Sequence, residues 1–342
     1  MKKYLSLLFI LILVPGLLKA ETFAKTGTAG LQFLKLGIDA RAIGMAEAYT
    51  AVTDDISSVY WNPAGLALTS QNQVLFSHTE WVADIRYEYL AASRKTSVGT
   101  FAFSAAYLWM DWMDVYTEES FDEPTGEQFT NSDLALGLTY ANEYTDKFSF
   151  GFTAKYLREN LDEYDVNGMS VDIGSLYNTG WKNLTIGMSL RNFGPDMKYE
   201  LNNDNDDEVD EDPFDLLDND GDGLIDEDRE EVPFKLPMNF SLGVALDLVR
   251  TEQQSLIGSL QLDNCVDRME TYNLGFEYQV GTFKLRAGKQ FLLDAAGISA
   301  GFGLNIPTSF AIIDLDYSYT DMGDLSESFV KSPHRISLKL SF

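Results

Sequence analysis

Apolar residues fall at every second position over one short stretch of the chain after another. Phe101, Phe103, Ala105, Tyr107 and Trp109 alternate with Thr100, Ala102 and Ser104. Leu134, Leu136, Leu138 and Tyr140 oppose Asp133, Ala135, Gly137 and Thr139, and Phe148, Phe150, Phe152, Ala154 and Tyr156 oppose Ser149, Gly151, Thr153 and Lys155. The pattern returns at Leu184 to Leu190, Leu242 to Leu248, Tyr272 to Val280, Ile298 to Ile306 and Ile313 to Tyr319, and it runs through Ile336, Leu338 and Leu340 to Phe342. A period of two places successive side chains on opposite faces, so each stretch predicts a strand with one apolar face. Fourteen such strands begin near 72, 84, 97, 132, 147, 168, 183, 236, 253, 270, 282, 295, 309 and 333.

Alternation alone also suits a soluble sandwich. Three further features favour a barrel. The strand number is even. Aromatics gather towards strand ends (Tyr107, Trp109, Tyr140, Tyr156, Tyr272, Tyr278, Tyr317 and Tyr319), where a membrane barrel meets its interfaces. Connections alternate in length: 94–97, 141–146, 178–182, 281–282 and 305–308 read as short turns, 111–131, 159–167, 193–235 and 320–332 as long loops. Short turns belong on the periplasmic side and long loops outside. The fold class is therefore all-β: a transmembrane antiparallel β-barrel of about 14 strands, occupying 71–342. Its inward faces collect Lys155, Arg191, Asp247, Glu277, Lys284, Arg286, Asp314, Asp316 and Lys339.

One long stretch departs from this period. From Gly37 to Leu68, small and apolar residues recur at helical spacing: Ala40, Ile43, Ala46 or Glu47, and Thr50 mark turns of one helix, and Asp54 or Asp55 can cap a second through Ser57, Ser58 and Tyr60. It ends in Asn62-Pro63-Ala64-Gly65, where Asn62 suits a cap and Pro63 a first helical position, fixing one tight bend.

Phe33 to Ala67 closely resembles the N-terminal signature of PorV/PorQ-type proteins, a branch of the FadL-like outer-membrane barrels. The match is an ordered series, comprising the Gly37-x-x-Ala40-Arg41-Ala42 start, the paired Asp54-Asp55 and the Asn62-Pro63-Ala64-Gly65 end. Such proteins usually carry Gly-Gly-Ala after the methionine, where this chain has Ala46-Glu47-Ala48. The resemblance implies that 21–70 forms a helical hatch inside the lumen, anchored at Asn62, Pro63, Ala64 and Gly65.

Lys2 and Lys3 precede an apolar run from Tyr4 to Leu18, and Leu18-Lys19-Ala20 puts a small residue before Glu21; 1–20 reads as a signal peptide of an exported protein. The single cysteine, Cys265, excludes a disulfide framework and a cysteine-built zinc site. Acidic residues outnumber basic ones 53 to 25, a formal charge of −28 that repels nucleic acid.

Much of that charge lies in one loop, 198–234. Between Glu200 and Glu231 there are seventeen acidic residues and one basic one, Arg229, a net of 17 − 1 = 16 negative charges. Asp218, Asp220, Asp222, the Leu224 carbonyl, Asp226 and Asp228 around the Gly221 and Gly223 bend supply most of a calcium loop, since calcium takes six to eight hard oxygens around a sharp turn. Arg229 stands where a calcium loop ends in a bidentate acid. The competing reading is a solvated, self-repelling acidic loop.

Catalysis finds little support. The only histidines are His78 and His334, both at strand positions, and no nucleophile elbow, phosphate loop or HExxH motif occurs. The resemblance to PorV implies a non-enzymatic barrel of the outer membrane serving type IX protein secretion, with secreted cargo and other secretion components as partners. The wider FadL-like resemblance implies the alternative, passive passage of hydrophobic small molecules. A structural surface protein is the third reading.

Overall fold

A computed structural model of the protein describes residues 27–117, 123–162, 164–199, 233–292, 297–322 and 332–342. The signal-peptide stretch and the whole calcium-loop motif lie outside the described residues. Sixteen strands follow in order: β1 (Gln73–Glu80), β2 (Arg86–Thr96), β3 (Gly99–Trp109), β4 (Met113–Asp114), β5 (Gln128–Phe129), β6 (Asn131–Thr145), β7 (Phe148–Leu161), β8 (Tyr164–Asn178), β9 (Thr185–Phe193), β10 (Asn239–Arg250), β11 (Gln254–Cys265), β12 (Thr271–Val280), β13 (Phe283–Phe291), β14 (Ile298–Pro307), β15 (Ile312–Thr320) and β16 (His334–Ser341). All but β4 and β5 form one closed sheet in which every neighbour is antiparallel.

Closure falls between the first and last strands. β1 pairs with β16 from Gln73↔Ser341 to Glu80↔His334, and beyond it Asn72 N–H donates to the Phe342 carbonyl at 3.1 Å while Phe342 N–H donates to the Asn72 carbonyl at 2.9 Å. Among the described residues the barrel sheet therefore has no edge strand, the condition a sheet must meet inside hydrocarbon. Among the described residues no helix is long and apolar enough to cross a membrane.

Alternating apolar positions point outwards. Phe76, Phe101, Phe103, Leu138, Phe152, Met188 and Leu338 are all exposed on the outer wall. The residues between them face inwards and are small or polar: Ser77, Thr79, Thr139, Thr153, Ser189, Ser241, Gln261, Asn273 and Ser337 are buried. Short turns sit at one end of the barrel, and the connections 81–85, 110–130, 194–238, 266–270 and 321–333 at the other.

Two loop expectations are corrected. The stretch 159–167 is not a loop, because β7 and β8 stay paired as far as Leu161↔Tyr164 and Arg158 clasps Asp165 with two bonds of 3.0 Å. Its polar sequence reads as loop, but ladder hydrogen bonds do not need apolar side chains where the wall meets water. β6 likewise continues through Asn142 and Glu143, with a register shift before Thr145. The connection after β3 carries a ribbon of its own, β4 with β5.

Truncation after Arg335 removes most of β16 and leaves β1 and β15 as facing open edges. The shortened chain is expected to lose the compact, heat-modifiable band of a folded barrel in unboiled gel electrophoresis, whereas cuts within the exposed β4–β5 ribbon should preserve it.

Candidate functional site

The N-terminal segment packs against inward-facing residues of the barrel wall. It comprises a 3-10 turn (Gln32–Lys35), an α-helix (Ala40–Gly44), a second α-helix (Ser58–Trp61) and a 3-10 helix (Pro63–Leu68). Leu31, Ile38, Met45, Tyr49, Ile56, Trp61 and Leu66 are all fully buried.

The first helix is shorter than its spacing predicts. It stops at Gly44; Met45 N–H donates to the Ala42 carbonyl at 3.1 Å and Ala46 N–H to the Ile43 carbonyl at 2.9 Å, and Ala46 and Glu47 take left-handed conformations at φ 52° and 62°. Ala46 and Thr50 are therefore not on further helical turns; they are buried because the chain folds back against the wall. Neither aspartate caps the second helix, whose N-cap is Ser57 without a side-chain bond; Asp55 Oδ1 accepts from the Ser57 amide at 3.0 Å in the turn before it, and Asp54 turns to Arg41.

The bend at Asn62 to Gly65 is buried throughout. Asn62 Oδ1 accepts from the Ala64 amide at 3.2 Å, and its Nδ2 donates to the Thr50 carbonyl at 2.9 Å and to the Ser175 carbonyl of β8 at 3.1 Å. Pro63 holds the first 3-10 position, where no amide hydrogen is needed. Gly65 lies against Thr53, whose Oγ1 would sit 2.5 Å from an added β-carbon. Asn62 thus bonds both within the segment and to the wall.

Facing glycines on the wall let the segment's backbone approach. Gly151 and Gly174 are cross-strand partners, as are Gly187 and Gly243, and Gly275 and Gly288. A β-carbon at Gly151 would lie 2.5 Å from the Pro63 carbonyl carbon, and one at Gly275 2.5 Å from the Met45 carbonyl oxygen. Polar wall residues take up the segment's unpaired amides. Gln261 Oε1 accepts from Tyr49 at 2.9 Å and Thr50 at 2.8 Å, Gln73 Oε1 from Ile56 at 2.8 Å, and Ser337 Oγ from Ala40 at 2.8 Å. Gln261 is itself held by Asp263 through Nε2, at 2.9 and 3.0 Å.

The inward charges predicted from sequence meet here. Arg41 pairs with Asp54 at 2.6 Å, Asp55 at 3.0 Å and Glu277 at 2.9 Å. Arg286 joins Glu277 to Asp316 at 2.6 Å each, and Lys339 pairs with Asp55 at 2.7 Å. Lys284 bonds Asp314 at 2.9 Å, and Lys155 pairs with Asp172 at 2.7 Å. Arg191 lies over the rings of Tyr60 at 4.8 Å and Trp61 at 5.3 Å. Asp247 sits apart at the short-turn rim, paired with Arg250 at 2.8 Å. Burial would push the Asp55 carboxyl up, but Lys339 and Arg41 overcome it and hold it well below the usual carboxylate range. Asp39 makes no ion pair among the described residues, and burial, with Asp55 and Asp316 nearby, outweighs the more weakly felt Lys339 and Arg286 and pushes its carboxyl up to about 7.

Both histidines point outwards: His78 Nδ1 meets Glu88 at 2.7 Å and His334 Nδ1 meets the Tyr317 hydroxyl at 2.7 Å. Asp218, Asp220, Asp222, Leu224, Asp226 and Asp228 lie outside the described residues; among the described ones, no group of three or more His, Cys, Asp or Glu is placed to hold a metal. Sequence reading missed the glycine pairs and Gln261. An inward glycine opposite an inward glycine was the available signal.

A model of the family described as "Type IX secretion system protein PorV" matches residues 19–266. No curated protein matches the chain. Among solved structures, the Ralstonia pickettii toluene transporter TbuX is similar with a TM-score of 0.54 at 11% identity, covering 89% of this chain and 97% of that one. The Pseudomonas putida toluene transporter TodX gives 0.52 at 13% identity, over 86% and 96%. A Pseudomonas aeruginosa FadL homologue gives 0.51 at 12%, over 90% and 98%. At such identities the likeness is one of fold.

Removing one partner of a buried ion network strands the others, at a cost of about 3–5 kcal/mol. Arg41→Ala, which leaves Asp55 to Lys339 alone and Glu277 to Arg286 alone, is expected to lose stability towards the lower end of that scale in urea titrations of detergent-folded protein. Asp54→Ala, on a carboxylate whose side chain is 55% exposed, should cost less than about 1 kcal/mol. The Asp39 carboxyl sets a pH dependence of known sign. Its folded pKa is raised to about 7, so the folded state keeps a proton that the unfolded state releases above about pH 4. The resulting penalty grows with pH and is complete above 7. Asp39→Asn should therefore stabilise the protein more at pH 8 than at pH 5, as read from unfolding midpoints at the two pH values.

Proposed function

The chain belongs to the PorV family of type IX secretion system proteins, and from that membership we propose that it is a non-enzymatic outer-membrane barrel that receives secreted cargo and presents it at the cell surface. The observation that supports this reading beyond the family is the N-terminal segment packed against the inward-facing wall. Arg41, Asp55, Glu277, Arg286 and Lys339 lock the N-terminal segment across the lumen, and Asn62 ties it to β8. A barrel so occupied is suited to offering its loops and rims to other proteins, with the segment as a fixed hatch. The toluene transporters share the fold and are named for passage of a hydrophobic molecule, which makes such passage the reading to test against.

In cells that carry the type IX components, deletion of this chain should leave cargo proteins trapped inside and absent from the surface, as measured by protease shaving of whole cells. Uptake of a labelled aromatic hydrocarbon should be unchanged. Loss of hydrocarbon uptake with normal cargo display would reverse the assignment.

Placement in a bilayer has its own test. Leu338, on the outer wall between Phe76 and Leu315, is 39% exposed. Leu338→Arg is expected to destabilise the lipid-folded protein by about 2–4 kcal/mol, the cost of a cationic side chain facing the bilayer midplane. In a water-soluble barrel, a surface change of this kind stays within about 0.5 kcal/mol.

The acidic loop is proposed to bind calcium through Asp218, Asp220, Asp222 and Asp226, with an affinity of about 10⁻⁴ to 10⁻³ M, as in extracellular modules. Calorimetric titration of the intact protein should give heats that shrink in an Asp220→Ala, Asp222→Ala variant. Equal heats would reduce the loop to a solvated charge run.

A further inference from the structure

Arg335 faces inwards near the start of β16, is only 3% exposed, and lies over the Trp81 ring at 5.3 Å. Among the described residues its side chain makes no ion pair or hydrogen bond, and its Nε is shielded from solvent without a partner. Arg268, in the connection between β11 and β12, has its Nε in the same condition. Both guanidiniums line one cavity of about 230 Å³ at the long-loop end, between the N-terminal segment and the ends of β13 to β16, together with Lys35, Glu47, Gln290 and Thr320.

Among the described residues that line this cavity, the charges do not balance. Lys35 is taken by Asp267 at 2.8 Å. Among the described lining residues Glu47 is then the one carboxylate beside the two arginines, and no hydrogen bond joins it to either. It stands there in a left-handed conformation, φ 62°, that glycine would adopt without strain. A buried charge without a hydrogen-bonded partner is costly, and a guanidinium presents a planar fork of donors matched to carboxylate and phosphate oxygens. The space exceeds the roughly 10–15 Å³ a single water needs, yet falls below the roughly 300–1,000 Å³ of sites for drug-sized ligands.

We propose that this cavity binds a small oxyanion, a single phosphate or a short-chain carboxylate, on Arg335 and Arg268, entering from the long-loop end, with Glu47 as the resident competitor. The inference stands apart from the secretion reading, since it rests on wall and segment residues alone.

The test uses the full chain in detergent, with thermal unfolding and calorimetry in inorganic phosphate, in acetate and in chloride at matched ionic strength. Phosphate or acetate should raise the unfolding midpoint above chloride. Glu47→Gln should lower the dissociation constant about tenfold, the factor carried by about 1.4 kcal/mol of relieved competition. Arg335→Gln should abolish the response without lowering the midpoint in chloride, because it removes a buried uncompensated charge. Should that variant fail to fold, Arg268→Gln, at a less buried position, serves in its place. No oxyanion response in wild type and Glu47→Gln alike would overturn the proposal. So would an undiminished response in the arginine variants, or a response confined to a long-chain fatty acid or a phosphate-bearing lipid added in mixed micelles.

Discussion

Closing fourteen antiparallel strands leaves the barrel sheet without an edge strand but encloses a space that the wall's own side chains do not fill. Barrels of about eight strands are narrow enough to be packed by inward residues, whereas those of sixteen to eighteen leave a water channel. Here the N-terminal segment packs against the inward-facing residues of the wall. Much of the inner wall can be understood as a fit to that segment. Paired glycines stand where its backbone presses closest, amide and hydroxyl acceptors where its amides lack partners, and opposed charges where its own charges arrive.

The segment, for its part, has too little regular structure to satisfy itself. Its two α-helices span four and five residues, so most of their end groups have no intrahelical partner. In the stretch between the helices Gln261 accepts from the Tyr49 and Thr50 amides with one oxygen, and it can do so because Asp263 fixes which way its own amide points. The ion network works in the same sense. A buried ion pair seldom adds much net stability over an apolar core, but it penalises every arrangement in which a partner is missing. Arg41 is bonded at once to Asp54 and Asp55 of the segment and Glu277 of β12, which restricts the segment to one seat in the barrel.

This division explains what the sequence discloses. The wall was legible because its determinant is local: Leu134 to Tyr140 or Phe148 to Tyr156 carry their face assignment in a period of two. The inward charges followed from the same period: Glu277, Lys284, Arg286, Asp314, Asp316 and Lys339 meet in ion pairs, whereas Asp247 sits at the rim and Arg191 against aromatic rings. The bend at Asn62 to Gly65 was legible from cap and proline chemistry. Legibility failed where the determinant was distant. Ala40 to Thr50 has helical spacing, yet its course after Gly44 is set by Gly275 and Gly288, more than two hundred residues away. At 159–167 polar composition suggested a loop, whereas backbone pairing beyond the apolar band proceeds with any side chain that tolerates water.

The sharpest conflict between local preference and the fold lies at Ala46 and Glu47. Two consecutive non-glycine residues in the left-handed region cost about 1–2 kcal/mol each, and an isolated peptide would relax out of them. They persist because both flanks are fixed. Met45 is wedged against Gly275 and Gly288 on one side, and Tyr49 and Thr50 are held by Gln261 on the other, so the intervening residues have no other path. The same constraint delivers the Glu47 side chain to a cavity lined by Arg268 and Arg335. A glycine at that position would relax the backbone but leave both guanidiniums without a carboxylate among the described lining residues. Strain in the backbone and the excess of positive charge among the described lining residues are thus two sides of one arrangement, in which a conformational cost at φ 62° places a carboxylate beside those arginines.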